Sequence, residues 1–140
     1  MTERVDFYVL KSNTAKQRWG FACRLAEKAY LRELRVVIVN DTAEDAKALD
    51  DLLWTFNERS FVPHELSQLR LTIEPATPAA GDLLVNLTAR VPQDFEQYRR
   101  IAEIIDADEE RRRLGRERFK TYRDLKVAVE THQLDENADG

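Results

Sequence analysis

Four cations and one ring mark the place where this chain could grip something. At about 100° per residue in a helix, Arg116, Lys120 and Arg123 fall roughly 40°, 80° and 20° from Arg112, with Phe119 roughly 20° to the other side. That is a cationic stripe with an aromatic set into it. Arginine and lysine hold carboxylates or phosphates, and a ring covers apolar surface, so the stripe suits a ligand that is acidic and carries an apolar part. A solvated basic face with Phe119 turned into the core meets the same periodicity, and spacing alone leaves both readings open.

The segment Arg111 to Arg123 holds seven of the 22 Lys and Arg and one of the 26 Asp and Glu, so it carries +6 while the rest of the chain sums to −10. Charge segregated in this way predicts a surface that meets an anion. The overall charge of −4 and pI of 5.3 oppose affinity for nucleic acid through bulk charge. Direct binding of single-stranded nucleic acid would have to use this one helix. It offers Phe119 and Tyr122 where single-strand binders interleave more rings.

Other chemistry finds few seats. All four glycines, at 20, 81, 115 and 140, are isolated, and Lys11-Ser12-Asn13-Thr14 carries neither a dinucleotide fingerprint nor a P-loop. Only two histidines occur, His64 and His132, and His64 follows Pro63 with no HxH, HxxE or cysteine partner nearby, so a metal site is not expected. The serines at 12, 60 and 67 lack a nucleophile-elbow context. Cys23, the only cysteine, excludes an intramolecular disulfide and reads as a small buried hydrophobe. We therefore expect no catalytic residue, no metal and no cofactor.

The elements that must carry the stripe are those of an α/β protein. Val5 to Leu10 reads as a first strand, Ser12 to Thr14 as the cap of a long helix through Tyr30, and Arg35 to Asn40 as a strand covered on both faces. Asp41-Thr42 caps a second helix whose apolar face is Ala46, Leu49, Leu52, Leu53 and Phe56. Residues 57–69 look irregular, Leu69 to Glu74 and Leu83 to Leu87 read as strands, and Pro75 to Gly81 as a loop. Pro92 and Asp94 open a short helical piece, Arg100 to Ile105 makes another strand, and the basic helix starts in the acidic run Asp106 to Glu110. Val127 and Val129 suggest a brief extended segment. The pattern predicts a three-layer α/β/α fold on a mostly parallel sheet, with right-handed crossovers.

With 140 residues, one domain is expected over residues 1–126, followed by an extension, 127–140, whose acidic Asp135-Glu136-Asn137-Ala138-Asp139-Gly140 reads as disordered. No apolar run is long enough to span a bilayer. The opening Met-Thr-Glu-Arg lacks the layout of a signal peptide, so the expected location is the cytoplasm, with no membrane partner.

Four blocks, in order, carry a resemblance: Val5 to Leu10, Ala48 to Trp54, Ser60-Phe61-Val62-Pro63-His64, and Arg116-Glu117-Arg118-Phe119-Lys120-Thr121-Tyr122-Arg123. Together they resemble the chi subunits of bacterial DNA polymerase III, from the first strand to Arg123. The resemblance implies a non-catalytic accessory subunit of the clamp-loader assembly, with a nucleotide-binding-like fold that binds no nucleotide. It implies two partners: the acidic, phenylalanine-ended C-terminal tail of single-stranded DNA-binding protein, and the psi subunit, through which the chain is tethered to the clamp loader; DNA is met only indirectly. The tail-binding positions fall on Arg112, Arg116, Phe119 and Lys120, with Arg123 on the same stripe and Ile105 and Trp54 expected to line the pocket for the terminal ring. Arg116 or Lys120 would take the terminal carboxylate and Arg112 the upstream aspartates. Phe61, Val62, Pro63 and His64 match the psi-facing block. Phe119 departs from the tyrosine often found there, which removes a hydroxyl, and the residues from Asp124 onward do not follow the family's usual ending.

Overall fold

A computed structural model describes residues 2–55, 62–75 and 81–134. Along the chain these form β1 (Arg4–Val9), α1 (Ala15–Leu31), β2 (Arg35–Val39), α2 (Ala43–Thr55), β3 (Glu65–Ser67), β4 (Arg70–Ile73), β5 (Asp82–Asn86), β6 (Arg100–Ile105), α3 (Glu109–Asp124) and β7 (Val129–Gln133), with one 3-10 turn at Phe95–Gln97. The helix starts are set by local chemistry. Thr14 Oγ1 accepts from the Gln17 backbone N–H, Thr42 Oγ1 from that of Asp45, and Asp108 from that of Arg111, each side chain satisfying a donor that a first turn leaves open.

The strands lie in the order β3-β4-β2-β5-β6-β1-β7. Pairings β2–β5, β5–β6, β6–β1 and β1–β7 are parallel, while β4 and β3 fold back antiparallel at one edge. The fold is thus α/β on a mostly parallel mixed sheet. β1 and β2, joined through α1, are separated by β5 and β6, so the first crossover spans two strands that the chain supplies later.

Alternation along the strands divides the core. Val36 and Ile38 of β2, Leu83 and Val85 of β5, and Ala102 and Ile104 of β6 pack under α1 and α2 with Phe21, Cys23, Ala26, Leu49 and Leu53. The opposite set, Val5, Phe7, Val37, Val39, Leu84, Ile101 and Ile105, packs with Phe95, Tyr98 and Tyr122 on the α3 side. Burial on both faces is why β2 and β5 read as continuous apolar runs. Burial pushes the Cys23 thiol up to about 12, which suits a core side chain and not a reactive one.

Two parts of the chain differ from expectation. Within the stretch expected to be irregular, Glu65–Ser67 pairs with β4 as a short hairpin strand. The extended segment after α3 is a full strand, and β7 joins the sheet in register with β1, Val5 to Val9 opposite Val129 to Gln133. The sheet therefore continues past residue 126, where composition placed the domain's end; the polar run Glu-Thr-His-Gln hides a strand that is half solvated because it is an edge. Residues 76–80 and 135–140 lie outside the described residues. Among the described residues no helix is long and apolar enough to cross a membrane.

Candidate functional site

α3 is fastened to the sheet by a stripe of buried residues, Gly115, Arg118 and Tyr122. Arg118 Nε donates to Glu103 Oε1 of β6 at 3.0 Å, and Tyr122 Oη to Glu103 Oε2 at 2.8 Å. Asn86 Nδ2 of β5 donates to the same oxygen at 2.8 Å. Glu103 is fully enclosed and Arg118 nearly so. Burial pushes the Glu103 carboxyl above the ordinary carboxylate range, with Arg118, Asn86 and Tyr122 pulling the other way. Burial and the adjacent Glu103 also drive the Tyr122 hydroxyl well up. A buried carboxylate with three donors is a structural joint, since each lone pair left unpaired there would be costly.

At the start of α3, Arg111 grips Asp106 with two parallel hydrogen bonds of 2.9 and 2.7 Å. Burial opposes the charge on Asp106, yet Arg111 and the Asp108 backbone N–H hold its carboxyl below the usual range. Arg113 pairs along the surface with Glu110 and Glu117. These pairs account for three of the seven cations.

The remaining four are Arg112, Arg116, Lys120 and Arg123. Arg112 Nε donates to the Asp106 carbonyl at 2.9 Å, and the Arg123 guanidinium stands 5.9 Å from the centre of the Phe119 ring. None of the four forms an ion pair among the described residues. Beside them runs a groove of about 450 Å³, walled by Arg112, Gly115, Arg116 and Phe119 of α3, by Phe7, Val9 and Ile105 of β1 and β6, and by Thr131 and Gln133 of β7. The Phe119 ring sits 5.3 Å from that of Phe7, tilted by 56°, so it serves core and groove at once. The helix comes this close because residue 115 is glycine: a Cβ there would lie 2.2 Å from Ile105 Cδ1. The arrangement puts two cations, Arg112 and Arg116, on one wall of an apolar trough.

Five of the seven predicted tail-site residues, Arg112, Arg116, Phe119, Lys120 and Arg123, share the exposed side of α3, and Ile105 lies in the groove wall. Trp54 does not join them. It belongs to α2, on the other side of the sheet, where it is 50% exposed and packs its ring 4.1 Å from that of His64. The cause is the layer it belongs to: the Leu49 and Leu53 face that Trp54 flanks packs in the α1 layer, and the sheet separates it from α3.

In the other predicted block, Phe61 lies outside the described residues. Val62 is buried in the α1/α2 core, and the His64 side chain is enclosed, with Nδ1 2.8 Å from the Val62 carbonyl and Nε2 3.2 Å from Asp50. Pro63 is half-buried. Val62 and His64 therefore support that surface from beneath. Val62 and His64 turn inward, onto the α1/α2 core and toward Asp50 of α2, on either side of the half-buried Pro63.

Sequence reasoning missed the contributions of Phe7, Val9, Gly115, Thr131 and Gln133. An isolated glycine inside a helical pattern signals a close approach, so Gly115 was available as a clue. Thr131 and Gln133 could be found only by knowing that β7 is in the sheet.

Among the described residues one cluster brings potential metal ligands together, Asp6, Glu130 and His132, whose ligand atoms lie within 4.8 Å of one another. Arg4 and Arg100 already hold Asp6 at 3.1 and 2.9 Å, and Arg4 reaches Glu130 at 3.0 Å. Two guanidiniums in the same shell make this an ion-pair network in which a divalent cation would be repelled.

Residues 1–130 match the family described as DNA polymerase III chi subunit, HolC. The chain belongs to that family. It is 32% identical over 137 residues to the DNA polymerase III subunit chi of Pseudomonas aeruginosa, covering 94% of this chain and 96% of that one. The chi subunits of Haemophilus influenzae and Escherichia coli are 28% and 25% identical, covering 92% and 91% of their own lengths. The matched region takes in the whole α3 groove except Thr131 and Gln133, the two residues by which this chi-family chain completes it from β7.

Proposed function

We propose that this protein is a non-catalytic accessory subunit of the DNA polymerase III holoenzyme, acting in the cytoplasm, whose α3 groove takes the acidic C-terminal tail of single-stranded DNA-binding protein. One observation carries the reading: Arg112 and Arg116, which spend nothing on local carboxylates, stand on the wall of a trough lined by Phe7, Val9, Ile105 and Phe119, with Lys120 and Arg123 exposed on the same helix. That chemistry matches an acidic peptide with an apolar end. Arg116 and Lys120 receive the terminal carboxylate, Arg112 meets upstream aspartates, and the terminal ring settles against Ile105 and Phe119. With Phe119 in place of a tyrosine, the ring offers packing and no hydrogen bond to the tail.

The link to the clamp loader runs through psi or its equivalent at the opposite layer. There the half-exposed Trp54, its ring against that of His64, supplies an aromatic anchor of the kind interfaces favour. DNA is approached only through the bound partner.

The test is fluorescence anisotropy with a labelled peptide copying the tail of the host's single-stranded DNA-binding protein, beside one lacking the final phenylalanine and beside an oligonucleotide. Micromolar, salt-sensitive binding of the intact peptide is expected. Arg116→Ala and Lys120→Ala should each cost about 1–3 kcal/mol, as for charge-assisted hydrogen bonds. Equal affinity in wild type and both variants would sink the assignment, and binding of the oligonucleotide alone would favour a phosphate-reading helix instead.

A further inference from the structure

We propose that the trench between α1 and the sheet is a second anion site, and that it takes a small organic phosphate with an apolar or aromatic body. It lies on the layer opposite α3, so what fills it does not depend on what the α3 groove holds.

The trench follows from an offset in the fold. α1 packs against β2, β5 and β6, while β1 and β7 continue the sheet beyond them. The step between helix and sheet leaves a space of about 600 Å³, within the ~300–1,000 Å³ of small-molecule sites. Its floor is apolar, with Tyr8, Leu25, Leu34, Leu83 and Leu134 all packed on or within the α1/α2 core.

Its walls are cationic. Arg24 and Lys28 stand one turn apart on α1, Arg32 follows at the helix's C-cap, and Arg100 joins them from β6. Positions four apart in a helix are neighbours on one side, so the three α1 cations form a row. Asp6 and Glu27 also line the trench, which leaves a surplus of two positive charges. Asp6 is already taken, since it accepts from Arg4 and Arg100 and meets His132 Nε2 at 2.9 Å. Lys28 and Arg32 are exposed and form no ion pair among the described residues.

Arg100 is the group that points to a ligand. Its Nη2 donates to Asp6 at 2.9 Å, while its Nε is enclosed and meets no acceptor among the described residues. A buried N–H without an acceptor is costly, and a guanidinium can give two parallel hydrogen bonds to one anion. The Arg100 side chain is 42% exposed, so it has room to turn toward an oxygen that enters the trench. A phosphate monoester suits these walls because it carries close to two negative charges at neutral pH and three strong acceptor oxygens. A bare ion would leave the leucine floor uncovered, whereas an apolar body on the phosphate covers it.

The test uses the full chain with phenyl phosphate as probe, beside inorganic phosphate and an acidic peptide, followed through backbone amide spectra. Phenyl phosphate should give saturable shifts at Lys28, Leu83 and Arg100. Its affinity should exceed that of inorganic phosphate by about tenfold or more, as burial of a phenyl ring allows. Replacing two exposed cations, Lys28→Ala with Arg32→Ala, should weaken the probe about 2–10-fold. Arg100→Lys keeps a charge beside Asp6 and removes the planar fork, and should weaken it about tenfold. Equal affinity for the two phosphates, or affinity unchanged in both variants, would overturn the proposal. So would shifts centred on Arg112 and Arg116, because the probe would then belong to the α3 groove. If the acidic peptide saturates the α1 amides and phenyl phosphate does not, the trench is a protein-docking surface and the small-ligand assignment is wrong.

Discussion

Arg116 and Arg118 stand two positions apart on α3 and meet opposite surroundings. Arg118 is buried and spends its charge on Glu103, with a further hydrogen bond to the Ala89 carbonyl at 3.1 Å. Arg116 is exposed on the groove wall and spends nothing on a carboxylate among the described residues. The same contrast separates Arg111, locked to Asp106, from its neighbour Arg112. The inward members hold the helix at a fixed height and rotation, and that placement is what lets the outward members form a stripe. A helix's formal charge is therefore a poor guide to what a ligand meets; the charge left after internal pairing is what acts.

The sharpest way to break this comparison is to truncate one member of each class. Arg118→Ala should lower the unfolding free energy by about 3–5 kcal/mol, because it leaves Glu103 buried without its counter-charge. Arg116→Ala should leave stability within about 0.5 kcal/mol, as surface changes do, while weakening the tail peptide. Urea titrations of both variants check this. Comparable destabilisation by the two would show that inward and outward arginines are not distinct in kind.

Asp106 sharpens the comparison through pH. Its carboxyl titrates lower in the folded protein than in the unfolded chain, where the value is about 3.9. Its contribution is therefore complete above that value and is lost as pH falls through the lower folded one. Asp106→Asn should cost about 1.5–3 kcal/mol at pH 7, the range for hydrogen bonds to a charged group. That penalty should shrink as pH falls below about 4, where the unfolded chain's carboxyl takes up its proton while the folded one still resists it. Unfolding midpoints at pH 7 and pH 3 measure it, and a penalty that does not change with pH would mean that Arg111 and Asp106 are not an ion pair in solution.

Much of the architecture was legible because it follows local rules. The apolar runs at 35–40 and 83–87 and the capping residues Thr14, Thr42 and Asp108 announce their elements. The angular positions of Arg112, Arg116, Phe119, Lys120 and Arg123 follow from helical periodicity alone, and these five share one side of α3. What periodicity cannot give is the partner of each charge. Nothing in the sequence says that Arg118 points at Glu103, fifteen residues earlier on another strand, or that Asp106 takes Arg111. Trp54 shows the same limit at a larger scale. Its helix was read correctly, but which face of the sheet that helix covers depends on strand order, and a wrong layer puts the residue in the wrong site. β7 escaped for a third reason: an edge strand needs no apolar alternation on its open side.

Gly115 tests the fit between the two classes with the smallest net effect. Replacing glycine by alanine inside a helix gains about 1 kcal/mol from backbone entropy. Here the new Cβ would fall 2.2 Å from Ile105 Cδ1 and 3.1 Å from Cγ1. The methyl it meets is the far end of a flexible side chain, so Ile105 can turn away, and overpacking of this kind costs about 1–3 kcal/mol. The two effects partly offset, so Gly115→Ala should leave the melting temperature unchanged or lower it by a few degrees, a net loss of at most about 2 kcal/mol. The room that Ile105 and the new methyl take is taken from the groove they both line. We therefore expect weaker binding of the phenylalanine-ended peptide with little change for the peptide lacking that residue, since the cations of the stripe are not moved. A variant that melts higher and binds both peptides as the wild type does would mean that the ring does not seat against Ile105, and that the inward face of α3 sets the helix's position without shaping what its outward face can hold.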